Sequence, residues 1–227
     1  MKNVLQFLTN LSQNNTREWF EANKNLYDEA KAETQQLVTA ILAAMLAFEP
    51  EFAHLKANDC MFRIFRDVRF SKDKTPYKPY FSAYFQREGR KSMRAGYYLH
   101  IQPGGSSMLA GGMWMPEKEA LKSIRQEIDY NAAKLHEIID DQTFVKNFGS
   151  LFTQDMLFSM PRSLKKAPKE YAADHSEIEL LKQKDFTLSH GLTDAQLTEP
   201  DFADYAVSTW KTLKPFNDFL NTAVDNG

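Results

Sequence analysis

Three arginines recur at every third position, Arg63, Arg66 and Arg69, and Lys72, Lys74 and Lys78 follow within nine residues. Guanidinium groups grip carboxylate or phosphate oxygens in bidentate fashion and ammonium groups add point charges, so this run suits an anion. Ser71, Thr75 and Tyr77 bring hydroxyls that can donate to the same oxygens. In a strictly extended strand, residues three apart do not share a face, so a bend near Asp67 is needed to gather the arginines. Asp67 and Asp73 either orient the arginines or cancel them in ion pairs. The candidate ligand-binding set is Arg63, Arg66, Asp67, Arg69, Lys72, Asp73, Lys74, Tyr77 and Lys78, and the expected partner is a small phosphate- or carboxylate-bearing molecule. His100 and Tyr98 are candidate acid/base groups, should they share the pocket face.

The charge is segregated. Ten basic residues stand against three acidic ones between Met61 and Arg94, whereas the whole protein carries 28 Lys+Arg, 30 Asp+Glu and a formal charge of −2. The rest of the chain is therefore net acidic. Two other readings fit the same block: nucleic-acid binding through a basic hairpin, disfavoured by a sequence pI near 6.2, and a protein-interaction module whose basic block is fully paired. Tyr80, Phe81, Tyr84, Phe85, Tyr97 and Tyr98 form either an aromatic platform for bases or, at strand periodicity, part of a core.

Other chemistry is excluded by spacing. No GxxxxGK[ST] loop, no GxGxxG after a strand and no GxSxG elbow occurs, which removes P-loop nucleotide hydrolysis. His136-Glu137-Ile138-Ile139-Asp140 lacks the second histidine of a zinc helix and reads as a solvated face. The five histidines are scattered and predict no metal site. Cys60 reads as a buried small hydrophobe. Gly104, Gly105, Gly111 and Gly112 serve hairpin turns or, less commonly, cradle an anion. No cofactor and no reaction follow from these residues, and whether the chain is an enzyme stays open.

The elements that position the block follow from periodicity. Met1 to Leu11 reads as a short amphipathic helix, broken by Asn3, Gln6 and Asn10, rather than a signal segment or membrane span. From an N-cap at Thr16, apolar residues at Trp19, Leu26, Ala30, Leu37, Ile41, Ala44, Met45 and Phe48 predict one long helix, broken at most once, ending before Pro50. Period two then takes over in Tyr80 to Phe85, Gly96 to Ile101 and Ser106 to Met113, an antiparallel meander with Lys72 to Pro79 as a true loop. Helices return at Pro116, with stripes Leu121, Ile124, Ile128 and Leu135, Ile138, Ile139. An aromatic piece spans Phe144 to Phe158, and a basic loop runs from Pro161 to Asp174. Asp174 and Glu177 read as a capping box, Phe186 to Leu192 as a last strand, and about Glu199 onward as a helix that Pro215 kinks or breaks.

The expected fold is α+β: a central antiparallel sheet of four or more strands packed by N-terminal, central and C-terminal helices. We expect a single domain over 1–227, with a helical part to about 55, the sheet over about 60–113 and a helical part from about 116. A chain of 227 residues, 43% hydrophobic and 13% aromatic, can hold a core without staples. One cysteine allows no intramolecular disulfide, which with the absence of a targeting signal predicts a cytoplasmic protein.

The run "RIFRDVRFSKDKTPYK" from Arg63 to Lys78, "GYYLHIQPGGSSMLAGGMWMPE" from Gly96 to Glu117, "IRQEI" from Ile124 to Ile128 and "ELLKQKDF" from Glu179 to Phe186 resemble domain of unknown function family 2461. Trp19-Phe20, Asn23, Tyr27 and the Pro161 loop share the likeness. The resemblance implies one domain spanning the chain and an intracellular protein. It brings no reaction, cofactor or catalytic residue, but it weights the Arg63 to Lys78 segment as a site.

Overall fold

The computed structural model describes residues 1–151 and 162–227. The second half of the aromatic piece to Phe158, and Pro161 itself, lie outside the described residues.

The N-terminal helices form where the periodicity places them. Helix α1 (Lys2–Gln13) buries Val4, Phe7, Leu8 and Leu11, one stripe at spacings of three and four. Thr16 caps α2 (Arg17–Ala22), its hydroxyl accepting from the Trp19 N–H at 3.2 Å. The single break falls at Asn23, and α3 (Lys24–Met45) resumes with Tyr27, Ala30, Thr34, Val38, Ile41, Leu42 and Met45 buried. That restart moves the stripe off Leu26, which is exposed. Thr34 is tolerated inside because its hydroxyl donates to the Ala30 carbonyl at 2.8 Å. A 3-10 turn, Pro50–His54, leads to the one-turn helix α4 (Ala57–Cys60). The Cys60 thiol is buried and pushed up to about 12 by desolvation, so it behaves as a small apolar side chain.

Four strands, β1 (Phe81–Phe85), β2 (Gly96–Ile101), β3 (Ser107–Met113) and β4 (Phe186–Leu192), form one antiparallel sheet in the order β1-β2-β3-β4. The fold is α+β, as the periodicity predicts. The sheet is drawn from 81–113 and 186–192, and the segment 61–66 contributes only isolated bridges. In the β1/β2 register Ser82 faces His100 and Tyr84 faces Tyr98, while Phe81, Ala83 and Phe85 lie opposite Ile101, Leu99 and Tyr97 on the apolar face. Those six are buried core, so of the suggested aromatic platform Phe81, Phe85 and Tyr97 are not accessible to bases.

The described residues divide into two compact units. The first comprises Met1–Ser92, Tyr97–Leu109 and Gly191–Thr209; the second comprises Met93–Gly96, Ala110–His190 and Trp210–Gly227. Within the first, Phe7, Phe20, Tyr27, Tyr77 and Phe81 form an aromatic core in which Phe20 and Tyr77 stack at 4.0 Å. Thr193 and Gln196 cap the short helix α8 (Asp194–Thr198) reciprocally.

Within the second unit, α5 (Lys118–Ile139) buries Ile124, Ile128, Leu135 and Ile139 and bends at Asn131. Its N-cap is Glu117, which leaves Pro116 just outside the first turn. Helix α6 (Gln142–Phe148) is capped by Asp141, which accepts from the Thr143 and Phe144 N–H groups. The one-turn helix α7 (Ile178–Leu181) starts after Glu177, not at an Asp174 capping box, because His175 Nδ1 takes the Glu177 N–H at 3.0 Å instead. The last helix, α9 (Phe202–Asp225), runs through Pro215 without a break. The missing N–H costs about 3 kcal/mol. Against it stand the buried Leu213, Phe216, Phe219 and Leu220, and two amide clips: Asn217 Nδ2 to the Gly96 carbonyl, and Asn221 to both backbone groups of Ala95.

His136 joins α5 to the turn before α7, bonding Glu177 at 2.8 Å and Asp140 at 3.2 Å. The Glu177 hydrogen bond raises its pKa, desolvation opposes the rise and Asp140 adds to it. A histidine raised in the folded state stabilises fully below its unfolded value near 6.5 and loses that contribution as pH climbs through the folded value. The ring is partly exposed, so the effect is screened to roughly 1 kcal/mol or less. Wild type is expected to melt above His136→Gln at pH 5.5 and to converge with it by pH 8.5. A gap that widens with pH would refute the pairing. Among the described residues no group of three histidine, cysteine or carboxylate side chains is arranged to hold a metal ion.

Candidate functional site

The basic run folds into an irregular hairpin. Its base is closed by the Phe65–Tyr77 bridge, with the Arg66 N–H donating to the Pro76 carbonyl at 2.9 Å and the Lys78 N–H to Ile64 at 2.8 Å. Asn15, from the turn after α1, clamps Tyr77 with its side-chain amide, donating to the carbonyl at 2.9 Å and accepting from the N–H at 3.1 Å. The Phe20–Tyr77 stack fixes the same residue from the side. The nine residues between, Asp67 to Thr75, form the loop.

Local ion pairs shape that loop. Asp67 receives Arg69 in fork geometry, Nε at 2.9 Å and Nη2 at 2.6 Å. That bond holds the Asp67 carboxyl down to about 2. Asp73 takes the Thr75 N–H at 2.9 Å, and Arg66 Nη1 reaches both its carboxylate and the Thr75 hydroxyl. The Thr75 backbone bond, then Arg66, lowers Asp73 likewise to about 2. Lys74 donates to the Val68 carbonyl at 2.9 Å. The bend expected near Asp67 exists, yet it directs Arg66 and Arg69 to separate carboxylates instead of one point.

An open cleft of about 440 Å³ lies beside this loop, lined by Arg66, Asp67, Asp73, Lys78, Pro79 and Tyr80. That volume falls within the range of small-molecule sites. Of the nine candidate residues the cleft gathers four: Arg66, Asp67, Asp73 and Lys78. Arg63, Arg69, Lys72, Lys74 and Tyr77 do not line it; Tyr77 is buried as the anchor of the hairpin base. Lys78 differs from the other lining charges. Its ammonium lies 5.7 Å from the Phe62 ring centre and 5.9 Å from that of Tyr80, and among the described residues it meets no carboxylate within 4 Å. Burial, then the charge of Arg63, lowers its pKa.

Behind Tyr80 lies a polar string. The rings of Tyr80 and His100 are 4.3 Å apart, centre to centre. His100 Nε2 is 2.9 Å from Gln102 Oε1 and Nδ1 is 3.2 Å from the Tyr98 hydroxyl. Because the amide oxygen only accepts, Nε2 carries the proton and Tyr98 donates to Nδ1. Burial lowers the pKa of His100, which favours this neutral form, and pushes the Tyr98 phenol up to about 12, with a Ser82 hydrogen bond acting the other way. Neither His100 nor Tyr98 lines the cleft. Gly104 and Gly105 do cradle an anion, but it is the chain's own Asp194 carboxylate, at 2.9 and 3.0 Å.

Residues 3–219 match the family described as conserved hypothetical protein (DUF2461). The chain belongs to this family. No curated protein and no solved structure matches the chain. Membership in DUF2461 covers both halves of the hairpin, the cleft and the polar string. Sequence reasoning left three residues out of the site. Tyr80 and Pro79 follow the basic run directly and complete the cleft wall. Asn15 gives no signal, since its partner is 62 positions away.

Proposed function

We propose that the protein binds a small anionic molecule in the cleft at Lys78, with Arg66 as second cation and Tyr80 as an aromatic wall. The observation that carries this reading is the half-buried Lys78 ammonium, which has the Phe62 and Tyr80 rings beside it and, among the described residues, no carboxylate within 4 Å. A positive charge partly removed from water and left without a counter-charge is disfavoured, and an anion supplied from solution relieves that cost. Arg66 brings the Ser71 and Thr75 hydroxyls, which reach it through Nη2 at 3.4 Å and through Nη1. Arg69, held in the fork with Asp67, serves loop shape.

Inorganic phosphate, sulfate and citrate at millimolar concentration are expected to raise the melting temperature of wild type. At a hundredfold excess over Kd the gain is about 2.7 kcal/mol, or roughly 5–10 °C for a chain of this size. Lys78→Met is expected to abolish the shift and Arg69→Met to retain it. An equal response in wild type and Lys78→Met removes the proposal.

A second reading, single-stranded nucleic acid along the loop, is favoured by Phe70. That ring is 95% exposed, with the Arg69 guanidinium 5.8 Å from its centre. Under this reading oligonucleotide affinity falls steeply with salt, Phe70→Ala weakens it and Lys78→Met spares it.

A further inference from the structure

We infer, resting on the cleft reading above, that Lys78 is a site of covalent attachment, its side-chain nitrogen condensing with the carbonyl carbon of a small molecule that also carries an anionic group. The position of the nitrogen is the reason. Lys72 and Lys74 of the same hairpin are exposed, and the Lys74 ammonium donates to the Val68 carbonyl. Neither lines the cleft, whereas Lys78 is half-buried in its wall, with Nζ 5.7 Å from the Phe62 ring centre and 5.9 Å from that of Tyr80. Lys72 and Lys74 therefore meet a carbonyl compound only as any surface amine does.

Three features suit Lys78 to attack a carbonyl. Its main chain is fixed, because the Lys78 N–H donates to the Ile64 carbonyl at 2.8 Å and Asn15 clamps both backbone groups of the preceding Tyr77. Among the described residues its nitrogen has no carboxylate within 4 Å, so no protein anion holds it in the ammonium form. Its surroundings are apolar on two sides, and desolvation favours the uncharged amine, the general route by which a lysine becomes a nucleophile near neutral pH. Burial lowers its pKa in the same sense.

The condensation balances without an oxidant or reductant. The amine lone pair forms a C–N bond to the carbonyl carbon while the C=O π electrons pass to oxygen, giving a carbinolamine. Its C–O bond then breaks and the oxygen leaves as water. Ammonium plus carbonyl thus becomes iminium plus water, with no net gain or loss of protons. The iminium keeps one positive charge beside the two rings, and the anionic group joined to the carbonyl supplies its counter-charge. A neutral carbonyl compound leaves that charge as uncompensated as before. The volume of about 440 Å³ admits a ring-sized organic remainder beside Tyr80.

Two aldehydes, 4-formylbenzoate and its methyl ester, share a ring and differ in one negative charge. Wild-type protein is incubated with each at pH 7.5 together with sodium cyanoborohydride, which reduces the iminium to a stable secondary amine, and adducts are located by peptide mass spectrometry. With 4-formylbenzoate, Lys78 is expected to be labelled about tenfold faster than Lys72 and Lys74, which serve as controls within the same folded molecule. That preference is expected to fall severalfold with the ester, and millimolar inorganic phosphate to slow labelling of Lys78 without affecting Lys72 or Lys74. Lys78→Arg, which keeps the charge, is expected to lose only the fast adduct. Labelling of Lys78 no faster than that of Lys72 and Lys74, or an equal preference with acid and ester, overturns the inference. If phosphate still raises the melting temperature in that case, the cleft reading stands. Unselective labelling together with no thermal effect of phosphate overturns both.

Discussion

Gly112→Ala is expected to lower the melting temperature by roughly 8–16 °C, the equivalent of about 4 kcal/mol in a chain of this length. Gly112 sits in β3 at φ +102°, a region that L side chains rarely adopt, and an added Cβ would lie 1.9 Å from the Phe186 carbonyl oxygen of β4 and 3.0 Å from its carbon. The obstacle is backbone, which cannot swing aside as a flexible side chain does. Relief requires pushing the two strands apart at a closely packed point. Gly104→Ala is the matched control. It too has a positive φ, of +77°, but nothing within 4 Å of the added carbon, so it costs only the conformational preference, roughly 1 kcal/mol. A thermal melt followed by far-UV circular dichroism separates the two. Similar losses for both would mean that the β3–β4 approach is looser than described.

Asp185→Ala is expected to cost about 3–5 kcal/mol in urea denaturation, the usual consequence of breaking a buried, hydrogen-bonded ion pair from one side. The Asp185 side chain is 6% exposed. Its carboxylate accepts from the Met115 N–H at 3.0 Å, the Thr187 N–H at 2.9 Å and Arg162 Nη2 at 3.0 Å. Met115 is the one non-glycine with positive φ among the described residues, at +45°, and its N–H is held by Asp185. Alanine strips all three donors of this acceptor at once. Asp185→Asn keeps an acceptor of the same shape and is expected to lose roughly half as much. A loss below about 1 kcal/mol for the alanine variant would show that water replaces the carboxylate freely, contrary to its burial.

The sheet was legible because period-two alternation is local: Gly96 to Ile101 and Phe186 to Leu192 read as strands from their own residues and are strands. Thr16 was legible as a cap for the same reason. Pro215 does not break α9, because propensity is local while the force that carries the helix past it is tertiary: buried Phe216 and Leu220, with Asn217 and Asn221 holding distant backbone. Helix α8 was overlooked although Thr193 and Gln196 spell a capping box; five residues are too few for a visible period. At the candidate site, the pairing of Asp67 with Arg69 and Asp73 with Arg66 could be anticipated from short separations. That Lys78 would be half-buried against aromatic rings could not, because that depends on Phe62 and Tyr80 flanking it in the fold. The Met115–Asp185 bond joins residues 70 positions apart and leaves no trace in spacing.

The Asp67–Arg69 fork spans two residues and Asp73–Thr75 another two. Contacts this short in sequence form readily in the denatured chain as well, so they give the loop its contour while adding little to the free-energy gap between folded and unfolded protein. Substitutions along it therefore draw lightly on the narrow margin that limits most evolutionary change. The apex, where Phe70 stands in solvent, is therefore free to vary without compensation elsewhere in the fold.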